Sequence, residues 1–134
     1  MNWYTITKHA GRFQSVGTLR YPEEGKAILE IDQDICSYYR SMVPKHEPNP
    51  KSSMFPCHIT AIRIGKEIVV DQEAWAKHDG EQVPFEYENE VGFDGTYYFL
   101  RAYSPRLEEI RQELGMSPIR EGKSEFHITI GNVK

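Results

Sequence analysis

Two cysteines in 134 residues are too few for a disulfide framework. Cys36 falls in a predicted helix and Cys57 in a predicted strand, and both are expected to be reduced packing residues. No apolar run approaches the roughly eighteen residues that read as a membrane-spanning helix, so no membrane partner is expected. The opening "MNWYTITKHAGRF" lacks a basic stretch followed by an apolar core, which argues against a secretory leader and for the cytoplasm. Positive charge is also short. A net charge of −4 disfavours a coat for duplex nucleic acid, whose nonspecific binding depends on neutralising many phosphates. A small anionic ligand held by a few local cations is compatible with it. Low-complexity tracts and flexible Gly/Ser linkers are missing too, so residues 1–134 read as one domain. With 39% hydrophobic and 27% charged residues, the composition is globular.

What is present is a repeated order of elements. "VGTLRYPEEGKAILEID" predicts a hairpin, its alternating runs at 16–21 and 26–32 separated by the Pro-Glu-Glu-Gly turn. "QDICSYYRSMV" then sets Ile35, Tyr38 or Tyr39, and Met42 at helical spacing, with Pro44 as a stop. A polar loop leads into the strand "CHITAIRI". The second half repeats this order. "PFEYENEVGF" and "TYYFLRAYS" flank the hairpin signal Asp94-Gly95. Ser104 and Pro105 open a helix carrying Leu107, Ile110 and Leu114 on one face, and Gly115 closes it. A further polar loop delivers "FHITIGNVK". Between the halves, "DQEAWAKHDG" predicts a short helix capped by Asp71. Halves of about 1–70 and 71–134 therefore predict an α+β, bilobal architecture: two pseudo-symmetric antiparallel sheets with flanking helices and a central cleft.

Both halves end on His-Ile-Thr, at 58–60 and 127–129. Residues i and i+2 of a strand share a face, so His58 joins Thr60 and His127 joins Thr129, while the isoleucines turn the other way. A single His-x-Thr arises by chance and reads as a buried histidine satisfied by hydrogen bonds. Two identical tripeptides in matching contexts point to a paired site. If the strands meet, two imidazoles and two hydroxyls converge. Such a set suits displacement at phosphorus: one histidine takes the nucleophile's proton and the other protonates the leaving oxygen. The threonine hydroxyls donate to nonbridging oxygens, where charge accumulates. Neither metal nor cofactor is called for. The His-x-His-x-His run of histidine-triad hydrolases is absent. A zinc site from His58, His127, His46 and Cys57 is a minor alternative, because catalytic zinc ligands usually show tighter local spacing.

The two "HIT" motifs in a small chain of two similar halves resemble the 2H phosphoesterase superfamily. That resemblance spans essentially the whole chain in motif order, through a short motif of moderate specificity. Members act without metal on 2′,3′-cyclic phosphates, 2′-5′ linkages and related RNA-derived phosphodiesters. Within it, "YTITKHAGRFQSVGTLRYPE", "YYRSMVPKHEPNP", "FHITIGNVK" and the 69-residue interval between the histidines look like the anti-CBASS nucleases of T-even-like phages. This resemblance implies that His58, Thr60, His127 and Thr129 are catalytic. It implies cleavage of the 3′-5′ linkages of cyclic di- or trinucleotide immune signals, in the host cytoplasm if the chain is phage-encoded, with no obligate protein partner.

A nucleotide also needs stacking surfaces and counter-charges. Tyr4 and Trp75 are the expected base-stacking residues, each against the alternative of an ordinary packing aromatic. Lys45 and His46 in the loop before the first motif, and Arg120 and Lys123 in the loop before the second, are the expected cations, against the alternative of solvated side chains. His9 and His78 carry no partner pattern and read as surface residues. Three other functional readings stay open: RNA 2′,3′-cyclic phosphate ends, 2′-5′ oligonucleotides, or a nucleotide-binding sponge that never cuts.

Overall fold

A computed structural model describes residues 11–52, 56–63 and 65–133, and the backbone of 2–5. Seven strands and two nine-residue helices make it up: β1 (Asn2–Thr5), β2 (Arg12–Glu23), β3 (Lys26–Glu30), α1 (Gln33–Ser41), β4 (His58–Ile62), β5 (Gln82–Phe93), β6 (Tyr97–Tyr103), α2 (Pro105–Glu113) and β7 (Phe126–Asn132). Local chemistry explains the boundaries. The Asp32 carboxylate caps α1 through the Asp34 amide at 2.9 Å. Ser104 Oγ accepts from the Leu107 amide at 3.2 Å, with Pro105 at the first helical position. In the β5–β6 turn, Asp94 Oδ1 accepts from the amides of Thr96 and Tyr97 at 2.9 and 2.7 Å, and Gly95 takes φ +101°.

The strands close on themselves. The order β5-β2-β3-β4-β7-β6 returns to β5, so six antiparallel strands form a closed barrel, and β1 adds to β5 beyond the end of β2. This corrects the bilobal expectation of two separate sheets around a cleft. Each half does supply a hairpin, a helix and a further strand, but within the barrel the halves hydrogen-bond to each other at two seams, β4 with β7 and β2 with β5, and β1 also joins β5. Two separate sheets would leave unpaired N–H and C=O groups along each of those strands; closure satisfies them and removes the edges.

Alternation along the strands fills the barrel. Leu19, Leu29, Ile59, Val83, Leu100 and Ile128 are all fully buried. Each contributes about 1.5–3 kcal/mol of hydrophobic stabilisation. Gly17 has a packing reason of its own: a Cβ there would lie 2.6 Å from the Leu29 side chain and 2.7 Å from the Glu30 carbonyl oxygen. The helices sit at opposite ends. On α2, Leu107, Ile110 and Leu114 are buried as expected, joined by Arg111. On α1 the buried face is Ile35, Cys36 and Tyr39, whereas Tyr38 and Met42 are exposed. "DQEAWAKHDG" shrinks to one 3₁₀ turn, Gln72–Ala74, capped by Asp71.

The cysteines are also corrected. Cys36 and Cys57 form a disulfide, with their Cα atoms 6.0 Å apart, rather than remaining reduced. Their separation of 21 residues carries no pairing signal; α1 packing against the start of β4 brings them together. The bridge removes Cys57 as a zinc ligand. Among the described residues no helix is long and apolar enough to cross a membrane.

Candidate active site at the β4–β7 seam

The first seam brings the two His-x-Thr tripeptides side by side. Ile59 pairs with Ile128 in antiparallel register, and both are fully buried in the barrel. One step either way along antiparallel strands sets His58 across from Thr129 and Thr60 across from His127, all four on the outer face. Directly opposed side chains of this kind have Cβ atoms about 4.5–5.5 Å apart. The two imidazoles thus lie on one diagonal of a four-residue patch and the two hydroxyls on the other.

Neighbouring strands frame the patch. On β3, Glu30 pairs with His58 and Ile28 with Thr60; on β6, Arg101 pairs with His127 and Phe99 with Thr129. The Phe99 ring meets the His127 ring edge to face at 4.8 Å. Arg101 is engaged by Glu88 at 2.6 Å and Glu90 at 3.6 Å.

The histidines differ in setting. His58 Nδ1 lies 2.6 Å from the Pro56 carbonyl oxygen, so this nitrogen carries a proton and Nε2 is left for other partners. The entry to β4 is clamped by Gln33, whose side chain accepts from the Cys57 amide at 2.7 Å and donates to the Cys57 carbonyl at 3.1 Å. His127 is more enclosed, and its Nε2 is 3.4 Å from Glu125 Oε1. Desolvation pulls the His127 pKa below the ordinary histidine value; Glu125 opposes this, and Lys123 and Arg101 reinforce it. The enclosure therefore favours the neutral imidazole.

A cleft of about 350 Å³ opens beside the patch, bordered by Thr60, His127 and Thr129 and by Arg63, Arg120 and Lys123. His58 is not part of its lining. Among the described residues those three cations have no carboxylate within ion-pair distance, and Glu67 and Glu125 also border the cleft. A fourth cation, Arg111, is spent on structure. Buried on α2, it donates to the Ala61 carbonyl at 2.7 Å, the Ser117 carbonyl at 2.9 Å and Glu67 Oε1 at 2.6 Å. It thereby ties the exit of β4, the turn after it and the loop before β7 into one wall. Glu67 Oε2 also accepts from the Arg63 amide at 2.9 Å.

The expected binding residues divide. Arg120 and Lys123 reach the cleft. Lys45 and His46 are exposed and do not line it; His46 stands 3.3 Å from Glu47. Trp75 is committed elsewhere, edge-on to Tyr21 with ring centroids 4.9 Å apart. Tyr4 pairs with Val91 through its backbone, but its side chain lies outside the described residues, as does all of His9. His78 is not a free surface residue: it lies 3.2 Å from Glu81 and 2.5 Å from Glu113. Residues not anticipated from sequence are Arg63, Gln33, Phe99, Tyr97 and Glu125. Only Glu125 left a usable trace, two positions before His127 and hence on its face.

Compared with protein-family models, curated proteins and solved structures, the chain has no match in any of the three.

Proposed function

We propose that this chain is a phosphodiesterase of the two-histidine kind, cleaving nucleotide 3′-5′ linkages by acid–base catalysis from the protein's own side chains. The observation that carries the reading is the Ile59–Ile128 register, which sets a histidine and a threonine from each half around one point. His127, neutral through desolvation, is the base that takes the proton from a ribose 2′-OH. The oxygen attacks the adjacent phosphorus in line. His58, with Nδ1 tied to the Pro56 carbonyl, takes the role of acid and delivers a proton from Nε2 to the departing 5′-oxygen. Bond formation and cleavage balance: the 2′-O–P bond forms, the P–O5′ bond breaks, and one proton is taken up while one is given. The product is a 2′,3′-cyclic phosphate, which water opens with the histidines in exchanged roles. Thr60 and Thr129 donate to the nonbridging oxygens as charge builds there.

Three cations beside the patch, without ion-pair partners among the described residues, support an anionic substrate, and the resemblance of the tripeptides to 2H motifs implies cyclic di- and trinucleotide immune signals as its class. Such signals are met in the cytoplasm of a host cell. The test is incubation with a panel of cyclic di- and trinucleotides, 2′-5′ oligonucleotides and nucleoside 2′,3′-cyclic phosphates in excess EDTA, with products separated by chromatography. Cleavage of ribose 3′-5′ linkages, with a 2′-O-methyl analogue left intact, is expected. Binding of every ligand without turnover would leave only a sponge, and activity lost to chelation would refute the proton-transfer scheme.

A further inference from the structure

Among the described residues three large aromatic rings are exposed, and two of them have ring partners. Phe13, Tyr38 and Tyr97 are 44%, 48% and 44% exposed. Phe13 packs against Tyr87 at 5.7 Å between centroids, and Tyr38 meets Tyr39 edge-on at 4.9 Å. Tyr97 has no ring partner among the described residues. It is also the one of the three that borders the 350 Å³ cleft. An exposed aromatic ring bordering the same cleft as three cations is placed to meet a planar ligand.

Its backbone is rigid. The Tyr97 amide donates to Asp94 Oδ1 at 2.7 Å, and Tyr97 pairs with Asn132 on β7. Tyr97 is two residues before Phe99, which pairs with Thr129 just past a bulge, so at about 3.3 Å per residue the tyrosine backbone stands roughly 7 Å along the sheet from that threonine. One nucleotide unit spans that distance, with phosphate at the threonine and base at the ring. Ile119, from the loop before β7, adds an apolar surface to the same cleft.

We infer that Tyr97 is the base-stacking residue of this site, making it select phosphodiesters that carry a nucleobase over base-free ones. The inference rests on the phosphodiesterase reading for its ligand class and deepens it. A planar base laid on the ring covers apolar surface on both partners and tolerates any base, since every base has a π-face. The cations then hold phosphate, and the ring decides what is attached to it.

The probe is a dinucleoside monophosphate blocked by 2′-O-methyl at its linkage, compared with the same molecule lacking both bases. Calorimetric titration of the full chain and of Tyr97→Ala, Tyr97→Leu and Tyr97→Phe reads affinity without turnover. Tyr97→Ala and Tyr97→Leu should weaken the base-bearing ligand by about 5- to 100-fold and the base-free ligand by less than twofold. Tyr97→Phe should stay near the parent. On the unblocked ribose substrate the same loss should fall on KM, with kcat retained. Equal weakening of both ligands, unchanged affinity in Tyr97→Ala, or no binding by the parent protein would overturn the inference. A parent that binds the base-bearing probe selectively yet never cleaves the ribose form refutes the catalytic reading and leaves the stacking role standing.

Discussion

Two seams join the halves of this barrel, and they are built differently. The β2–β5 seam runs through seven register pairs, from Arg12–Glu88 to Thr18–Gln82, whereas the β4–β7 ladder has the single pair Ile59–Ile128. The outer face of the long seam satisfies itself. Gln14 donates to Glu86, Arg12 stands 3.6 and 3.7 Å from Glu86 and Glu88, and its guanidinium lies 4.1 Å over the Tyr103 ring. The short seam carries two imidazoles and two hydroxyls on its outer face, and the cleft beside it is lined by Arg63, Arg120 and Lys123, which among the described residues form no ion pair, together with Glu67 and Glu125. One seam holds the barrel shut by ladder hydrogen bonds, and the other leaves its polar groups available to a ligand. The short seam is reinforced from beneath, by the Cys36–Cys57 bridge and by Gln33 at the entry to β4.

That contrast is broken most directly at the histidines. His58→Ala and His127→Ala should each lower kcat by about 1000-fold or more with ligand affinity largely kept, and the double variant should lose little further, because the pair acts as a unit. Single-turnover kinetics with parallel titrations checks this; fully additive losses would mean independent roles. Thr60→Val and Thr129→Val come next. Each should cost about 10- to 1000-fold in kcat, the range for one donor to developing negative charge, and Val keeps the β-branched shape the strands favour. Effects under twofold at both positions would remove the hydroxyls from the reacting phosphate.

Replacing both cysteines by Ala should lower unfolding stability by about 2–4 kcal/mol, read by urea denaturation, since the bridge closes a 21-residue separation. A smaller effect concerns pH. A base must be deprotonated to act, so the acid limb of kcat/KM marks the His127 pKa and should lie below about 6.5. Glu125 favours the imidazolium, so Glu125→Gln should move that limb lower still; a move upward would contradict the assignment. The smallest change belongs to the long seam. Arg12→Ala should alter turnover by less than twofold and stability by about 0–1 kcal/mol, as for exposed ion pairs.

Much of this was legible along the chain, because the signals are local. Alternation marked the strands, Ser104 and Pro105 opened α2, Asp94 and Gly95 turned β5 into β6, and the i, i+2 rule put His with Thr on one face and Ile on the other. These depend on neighbours within a few residues. Trp75 shows the limit: a large aromatic after the first motif strand looked suited to a ligand, but Tyr21 takes its edge. Tyr97 shows the converse, since nothing in "GTYYFL" separates a ring facing water from Tyr98, which is fully buried.

The amino-acid sequence by itself determined the element order, the two His-x-Thr faces and the helix that buries Leu107, Ile110 and Leu114, since each follows from residue type and short-range periodicity. Tertiary structure alone decided that the halves zip into one closed barrel instead of two sheets and that Cys36 meets Cys57. It also set which loop cations and which exposed ring border the cleft. Those outcomes rest on pairings between residues tens of positions apart, such as Ile59 with Ile128 and Arg12 with Glu88. No local propensity encodes them. They follow from the requirement that every strand edge find hydrogen-bond partners while the apolar faces share one core.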